Sequence, residues 1–358
     1  MLADKARTLL TTADAGATHD RARQAAQDFI DTSRNASASD VRAALEILGG
    51  AYSLPYTDNL LLVLAIAGRL VERGADPTPL VPPVVEFLQR LTPLAVEFHR
   101  ACVHEVPDDA DDEDAAFAQA ADRFRAQMPK PAEAWGMLEA LYVPVIAVVA
   151  SSPAARAQGH SLAKQMVELQ AHNAGASWLY PLLMVLDREP VLAIEPDTKL
   201  GLVGRMSGIS SNFQLHVLLM DVFPHSDPRS DRRISQRAAD VTRGTIAEQQ
   251  DDAGIVGCWN LHAWTALQGT GRLTNDHSPS AMDHWIWNEG VPAHIPIFDG
   301  YRVVVLGPPS YERNFSAQRD YLNLRADIEV ERPLTPGEVD GWVTRFSQAG
   351  MEAARGEA

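Results

Sequence analysis

Pro190-Val-Leu-Ala-Ile-Glu-Pro-Asp-Thr-Lys-Leu-Gly-Leu-Val-Gly-Arg-Met206 marks the point where the chain changes character. Two short aliphatic and β-branched runs, Val191–Ile194 and Leu200–Met206, flank the turn-forming Pro196-Asp197-Thr198, a pattern that predicts a β-hairpin. Upstream the texture is helical. Apolar residues recur at helical spacing over Asp20–Thr32, Asp40–Leu48, Thr57–Glu72, Leu80–His99, Ala115–Gln127, Ala132–Val149, Ala154–His172 and Ser177–Leu186. Gly49-Gly50, Gly74 to Pro79, Pro129 to Pro131 and Ser151 to Pro153 separate them as turns.

Downstream the signals alternate. Strands are expected at Ile255–Leu261, Tyr301–Leu306 and Asp327–Glu331, with helices at Asn212–Val222, Ser235–Gln249 and Pro336–Ala349. A chain of 358 residues exceeds the size at which one hydrophobic core stops growing. The predicted architecture is therefore an all-helical domain, residues 1–189, built as a solenoid-like stack or an orthogonal bundle. An α+β domain with a small mixed sheet follows over residues 190–358, and it carries the candidate site.

Composition narrows the function classes. A net charge of −16 argues against a nucleic-acid partner, which needs a basic stripe. The nearest approach to one, Arg229, Arg232, Arg233, Arg237 and Arg243, alternates with Asp227, Asp231 and Asp240. Seven of the ten residues from Glu105 to Asp114 are acidic, but without Ca²⁺-loop spacing they read as an exposed loop. The only cysteines, Cys102 and Cys258, offer no disulfide framework, which suits a reducing cytoplasm. Residues 1–20 lack an export signal, and Leu141 to Ala150 is too short to span a bilayer. A soluble cytoplasmic protein without a membrane partner is expected.

The chemistry gathers late. Four of the seven tryptophans, Trp259, Trp264, Trp285 and Trp287, fall between Trp259 and His294, together with His262, His277, His284, Asp276, Asn260, Asn288 and Glu289. Ser211 opens the helix that follows the hairpin with a Ser-x-x-Gln capping box, and Asn212 and His216 share one face of that apolar helix. His216 is either a site wall or a satisfied core histidine. In Gly257-Cys-Trp-Asn-Leu-His-Ala-Trp264, strand alternation sets Cys258, Asn260 and His262 opposite Trp259 and Leu261. Trp285 and Trp287 alternate with His284 and Asn288 in the same way.

Tryptophans beside imidazoles and amides can wall an apolar pocket with a few directional contacts, or they can simply supply bulk core. His216, His262 and Glu289 carry the groups for acid–base work. Asn212, Asn260, Trp264, His284, Trp285 and Trp287 are candidate ligand contacts, and Tyr311 and Arg313, after Gly307-Pro308-Pro309, are placed to meet an anionic group. The histidines lack metal-ligand spacing, and no motif names a cofactor. Gly159-His-Ser-Leu-Ala and the glycine-rich Gly201–Gly208 match neither a nucleophile elbow nor a phosphate loop. Two readings remain. The first is an intracellular binding or adaptor protein for a protein, peptide or small-molecule partner; the second is an enzyme acting on a small organic or peptide substrate.

Overall fold

The computed structural model describes residues 1–14, 17–107, 109–223, 234–248, 254–273, 278–309, 312–317 and 319–356. It divides into two compact units, Met1–Met184 and Val185–Ala358, a division five residues ahead of the one expected from the change in periodicity. Arg229, Arg232, Arg233, Asp227 and Asp231 lie outside the described residues. Arg243, from the same run, is paired with Asp221 and Asp327.

The first unit is helical throughout its described residues: α1 (Leu2–Asp14), α2 (His19–Ser33), α3 (Ala38–Leu48), α4 (Asp58–Glu72), α5 (Val81–His104), α6 (Glu113–Gln127), α7 (Pro129–Ser151), α8 (Pro153–Gly159), α9 (Ala163–Leu169) and α10 (Ala174–Leu183). The sequence reading gives no element for α1, yet Leu2, Ala6, Leu9 and Ala13 form a stripe that is buried. The stretch expected as one helix over Ala154–His172 is two, joined by a 3₁₀ turn at His160–Leu162. Side-chain caps fix several starts: Thr57 accepts from Leu60 N at 3.0 Å, Asp112 from Ala115 N at 2.9 Å and Asn173 from Ala176 N at 3.0 Å.

Helix α7 is the centre of this unit, packed against α4, α5 and α10. Contacts that skip several elements fit a bundle better than a one-dimensional stack. Two glycines allow the close crossings. A Cβ at Gly68 would lie 2.9 Å from the Cα of Pro144, and one at Gly175 would fall onto the backbone carbonyl of Leu138. Helix α7 is also long and apolar enough to cross a membrane by composition, but most of its apolar window is buried inside the unit, as in the core helix of a soluble protein.

The second unit is α+β. Its elements are β1 (Glu189–Glu195), β2 (Leu200–Ser207), α11 (Asn212–Val222), α12 (Gln236–Arg243), β3 (Ile255–Val256), β4 (Asn260–His262), α13 (Pro279–Met282), β5 (Ile297–Phe298), β6 (Tyr301–Gly307), β7 (Asn314–Phe315), β8 (Asp327–Pro333) and α14 (Pro336–Gly356). β1 and β2 form the expected antiparallel hairpin, with Val191 opposite Gly204 and Ile194 opposite Gly201. The sheet runs β4-β6-β1-β2-β8, with β5 also on β6 and β1–β6 as the parallel pair that makes it mixed. The strand expected over Ile255–Leu261 is split, its first part pairing with β7 and its second with β6.

Alternation assigns the two faces of the sheet. Val191, Ala193, Leu202, Val304 and Leu306 join Leu215, Leu218 and Leu219 of α11 in one core. Leu192, Ile194, Val203, Val303 and Val305 join Val339 and Phe346 of α14 in the other. The sheet is thus a middle layer with a helix on each side, and every central strand is apolar on both faces.

Candidate functional site

The site expected from the sequence is built on β4 and the start of α11. In the antiparallel β4–β6 pair, Leu261 lies opposite Leu306, His262 opposite Val305 and Asn260 opposite Gly307. Opposed residues share a face, so Leu261 enters the α11 core while Asn260 and His262 stand on the α14 side. Both are buried, and the Asn260 amide meets His262 Nε2 at 3.2 Å. A Cβ at Gly307 would come within 2.9 Å of that same nitrogen, so the glycine makes room for the imidazole. Cys258 does not continue the Asn260–His262 face as alternation suggested. The strand stops short of it, and it sits in the α11 core with Trp259.

His216 occupies the other side. It is fully buried in α11, and its ring packs on Trp259 (centroids 6.1 Å apart) and Phe315 (5.4 Å). The loop Trp287–Gly290 closes over the first turn of this helix. Asn212 N donates to Gly290 O at 2.8 Å, Phe213 N to Asn288 O at 2.9 Å, and Asn212 Nδ2 to Trp287 O at 2.8 Å. These bonds occupy the helix N-terminal donors that would otherwise attract an anion. The capping box is displaced by one residue: Ser211 accepts from Gln214 N, but Gln214 Oε1 accepts from Ser210 N at 3.0 Å.

Both buried histidines are held neutral. Burial, reinforced by the charge of Arg313, pushes His216 down to about 4 against a weaker opposing pull from Asn288. Neither His216 ring nitrogen, nor Asn288 Oδ1, reaches hydrogen-bonding geometry with a partner. His262 is also pushed to about 4, by burial, then Arg313, then His284.

The remaining predicted residues divide into four groups. Trp285 bridges to His262 through the backbone, meets its ring edge-on at 6.2 Å and carries the Arg313 guanidinium 5.7 Å above its own ring. Trp287 lies 5.3 Å from Trp285 and is 45% exposed, and His284 binds Thr265 Oγ1 through Nδ1 at 2.9 Å. Trp264 departs from the group. It belongs to the α14 core, with Phe298 at 4.9 Å and Phe346 at 6.2 Å. Glu289 is exposed while its neighbour Asn288 is buried, the outcome of alternation within a tight loop. Tyr311, His277 and Asp276 lie outside the described residues. The structure therefore gathers Asn260, His262, His284, Trp285, Trp287 and Arg313 at the β4 edge, ties Asn212 to that edge through the Trp287 carbonyl, and packs His216 on the α11 side, where Arg313 also acts on it. Among the described residues no carboxylate pairs with His216, His262 or His284, and no cluster of three metal-ligating side chains occurs.

The sequence reading missed a second group, in the first unit. His99 on α5 and His172 after α9 join Nε2 to Nδ1 at 3.1 Å inside a box formed with Phe117 and Trp135. The local signal is faint. His99 falls on the apolar stripe of Ala95, Phe98 and Cys102, and only the fold brings the 73-residue-distant His172 to it.

No protein-family model, curated protein or solved structure matches this chain.

Proposed function

We propose that this protein is an intracellular binding or adaptor protein. On this reading its second unit takes a peptide or small ligand on the Trp285–Trp287 face, and its helical unit offers surface to a protein partner. The observation that carries the proposal is Trp287. Its carbonyl accepts from Asn212 Nδ2 at 2.8 Å and from Gly290 N at 3.1 Å, so the backbone is pinned while the indole stays 45% exposed. A rigid, exposed tryptophan beside a second tryptophan and an arginine has the composition of a binding hot spot. Covering its exposed surface, about 100 Å², is worth roughly 2–3 kcal/mol.

The acid–base alternative draws less support. A general base works best with a pKa near the operating pH; His216 and His262 both sit near 4, and Glu289 is exposed. The cytoplasmic setting rests on Cys102 and Cys258, both buried and neither joined in a disulfide.

The test is a displayed-peptide and small-molecule selection on the full chain, whose ligands are afterwards measured on Trp287→Ala and, as the conservative control, on Trp287→Phe. Selected ligands should weaken at least about tenfold on W287A and survive W287F. Ligands that bind W287A as well as the parent would refute this use of the site.

A further inference from the structure

The first unit holds a cleft of about 570 Å³ bounded by α6, α7 and the segment 170–177, a size typical of small-molecule sites. One face of α6 supplies Asp114, Phe117, Ala118, Ala121, Asp122 and Arg125, whose three- and four-residue spacing keeps them on one side of the helix. Trp135 and Glu139 of α7 complete it from below, and His172 and Asn173 complete it from the far wall. The space exists because alanines stand where longer side chains would fill it.

The aromatic floor is fixed from beneath. Phe117 stacks on His172 at 4.1 Å with the rings 8° apart, and His99 stacks on Trp135 at 5.7 Å and 7°. Asn173 is likewise immobilised, accepting from Ala176 N and donating to Trp135 O at 3.2 Å. Burial holds the His99 pKa below its ordinary value, with His172 adding to the effect. If the neutral His99 donates from Nε2 to His172 Nδ1, His172 keeps its proton on Nε2, the atom 4.0 Å from Asp114 Oδ1. That arrangement leaves a lone pair, not an N–H, at the unpartnered His99 Nδ1.

The charge around this floor is one-sided. Three carboxylates line the cleft against the single Arg125, which faces Asp122 at 3.8 Å. Among the described residues no lysine or arginine pairs with Asp114 or Glu139. Aromatic rings below and uncompensated carboxylates at the rim are the two features that recognise ammonium groups. We propose that this cleft binds an organic monocation, a primary or quaternary ammonium carried on an aromatic or alkyl body. The body rests on Phe117 and the alanines, and the ammonium faces Asp114 and Glu139. This site is independent of the Trp287 face, and its test reads separately.

Three probes of matched shape decide it: phenethylamine, 2-phenylethanol and 3-phenylpropionate, titrated into the full chain by calorimetry and ligand-observed NMR. The amine should bind with a Kd below about 1 mM, the alcohol at least about tenfold weaker and the acid weaker still. Asp114→Asn with Glu139→Gln, both at exposed positions, should lower the amine's affinity at least about fivefold and leave the alcohol unchanged. Ala118→Trp, also at an exposed position, should abolish amine binding by filling the cleft, with an unaltered circular-dichroism spectrum showing that the fold persists. Equal affinity for amine and alcohol, no amine binding at about 10 mM, or amine binding indifferent to A118W would each overturn the proposal.

Discussion

Acidification should unfold the second unit earlier than surface carboxylates alone would allow, because two of its histidines must be protonated inside the protein. His216 and His262 have folded pKa values near 4 against an ordinary 6.5. Between those values the unfolded chain binds more protons than the folded one, so stability is complete above about pH 6.5 and falls as pH drops towards 4. A histidine with these two constants loses about 2.5 kcal/mol of stability at about pH 4.5. Two acting independently lose roughly 4–5 kcal/mol, a large share of a typical domain's stability. His99 shifts in the same direction but lies in the first unit. Asp28, Asp76 and Glu168 have lowered values, so their contributions disappear only at still lower pH. The assay is urea unfolding followed by tryptophan fluorescence from pH 7 to 4.5, comparing the parent with His216→Leu. That substitution removes two unpartnered ring nitrogens from an apolar setting and should be neutral or stabilising at pH 7. Each histidine contributes a slope of up to about 1.4 kcal/mol per pH unit, so H216L should flatten the profile by about that amount near pH 5. A difference in slope below about 0.5 kcal/mol per pH unit would refute the claim that His216 is buried neutral.

Three further outcomes follow from packing and charge. Gly175→Ala should destabilise the helical unit by about 2–3 kcal/mol, since its Cβ meets the Leu138 carbonyl, while Gly136→Ala in α7, with nothing within 4 Å of its Cβ, should stabilise it by up to about 1 kcal/mol; paired thermal melts by far-UV circular dichroism read both. Arg302→Met should weaken the second unit by about 2–4 kcal/mol, because Arg302 is 12% exposed, pairs with Glu189 at 2.9 Å and donates to the carbonyls of Ala293 and Ile295 at 2.7 Å each; an unchanged denaturation midpoint would show that this network contributes nothing. Prolonged EDTA treatment should leave the melting temperature unmoved, since no described cluster offers three metal ligands; a fall of many degrees would reveal a structural ion.

What could be read from the sequence, and what could not, follows from the range of the forces involved. Helix α11 was legible to the residue because its start is a local event: Ser211 accepts from Gln214 N, and an apolar run follows. The hairpin was legible for the same reason, since its turn and both strands lie within one short stretch. The grouping of His216 with His262 rested on sequence proximity and on a shared need for polar partners, and neither fixes a side of the sheet. The side is set by β6, which arrives some forty residues after β4 and pairs Leu261 with Leu306. That single register places His262 on the α14 face and leaves His216 across the sheet among Trp259 and Phe315. Trp264, two residues beyond His262, is taken by Phe298 and Phe346, partners that local pattern cannot supply. The His99–His172 box is the extreme case. Each histidine alone is an unremarkable residue on a helix or in a turn, and the chemistry appears only when α5, α6 and α7 pack around the end of α9. Clusters of polar residues in sequence therefore pointed to the β4 segment without fixing its faces, and they gave no warning of the His99–His172 box, made by elements that are far apart along the chain.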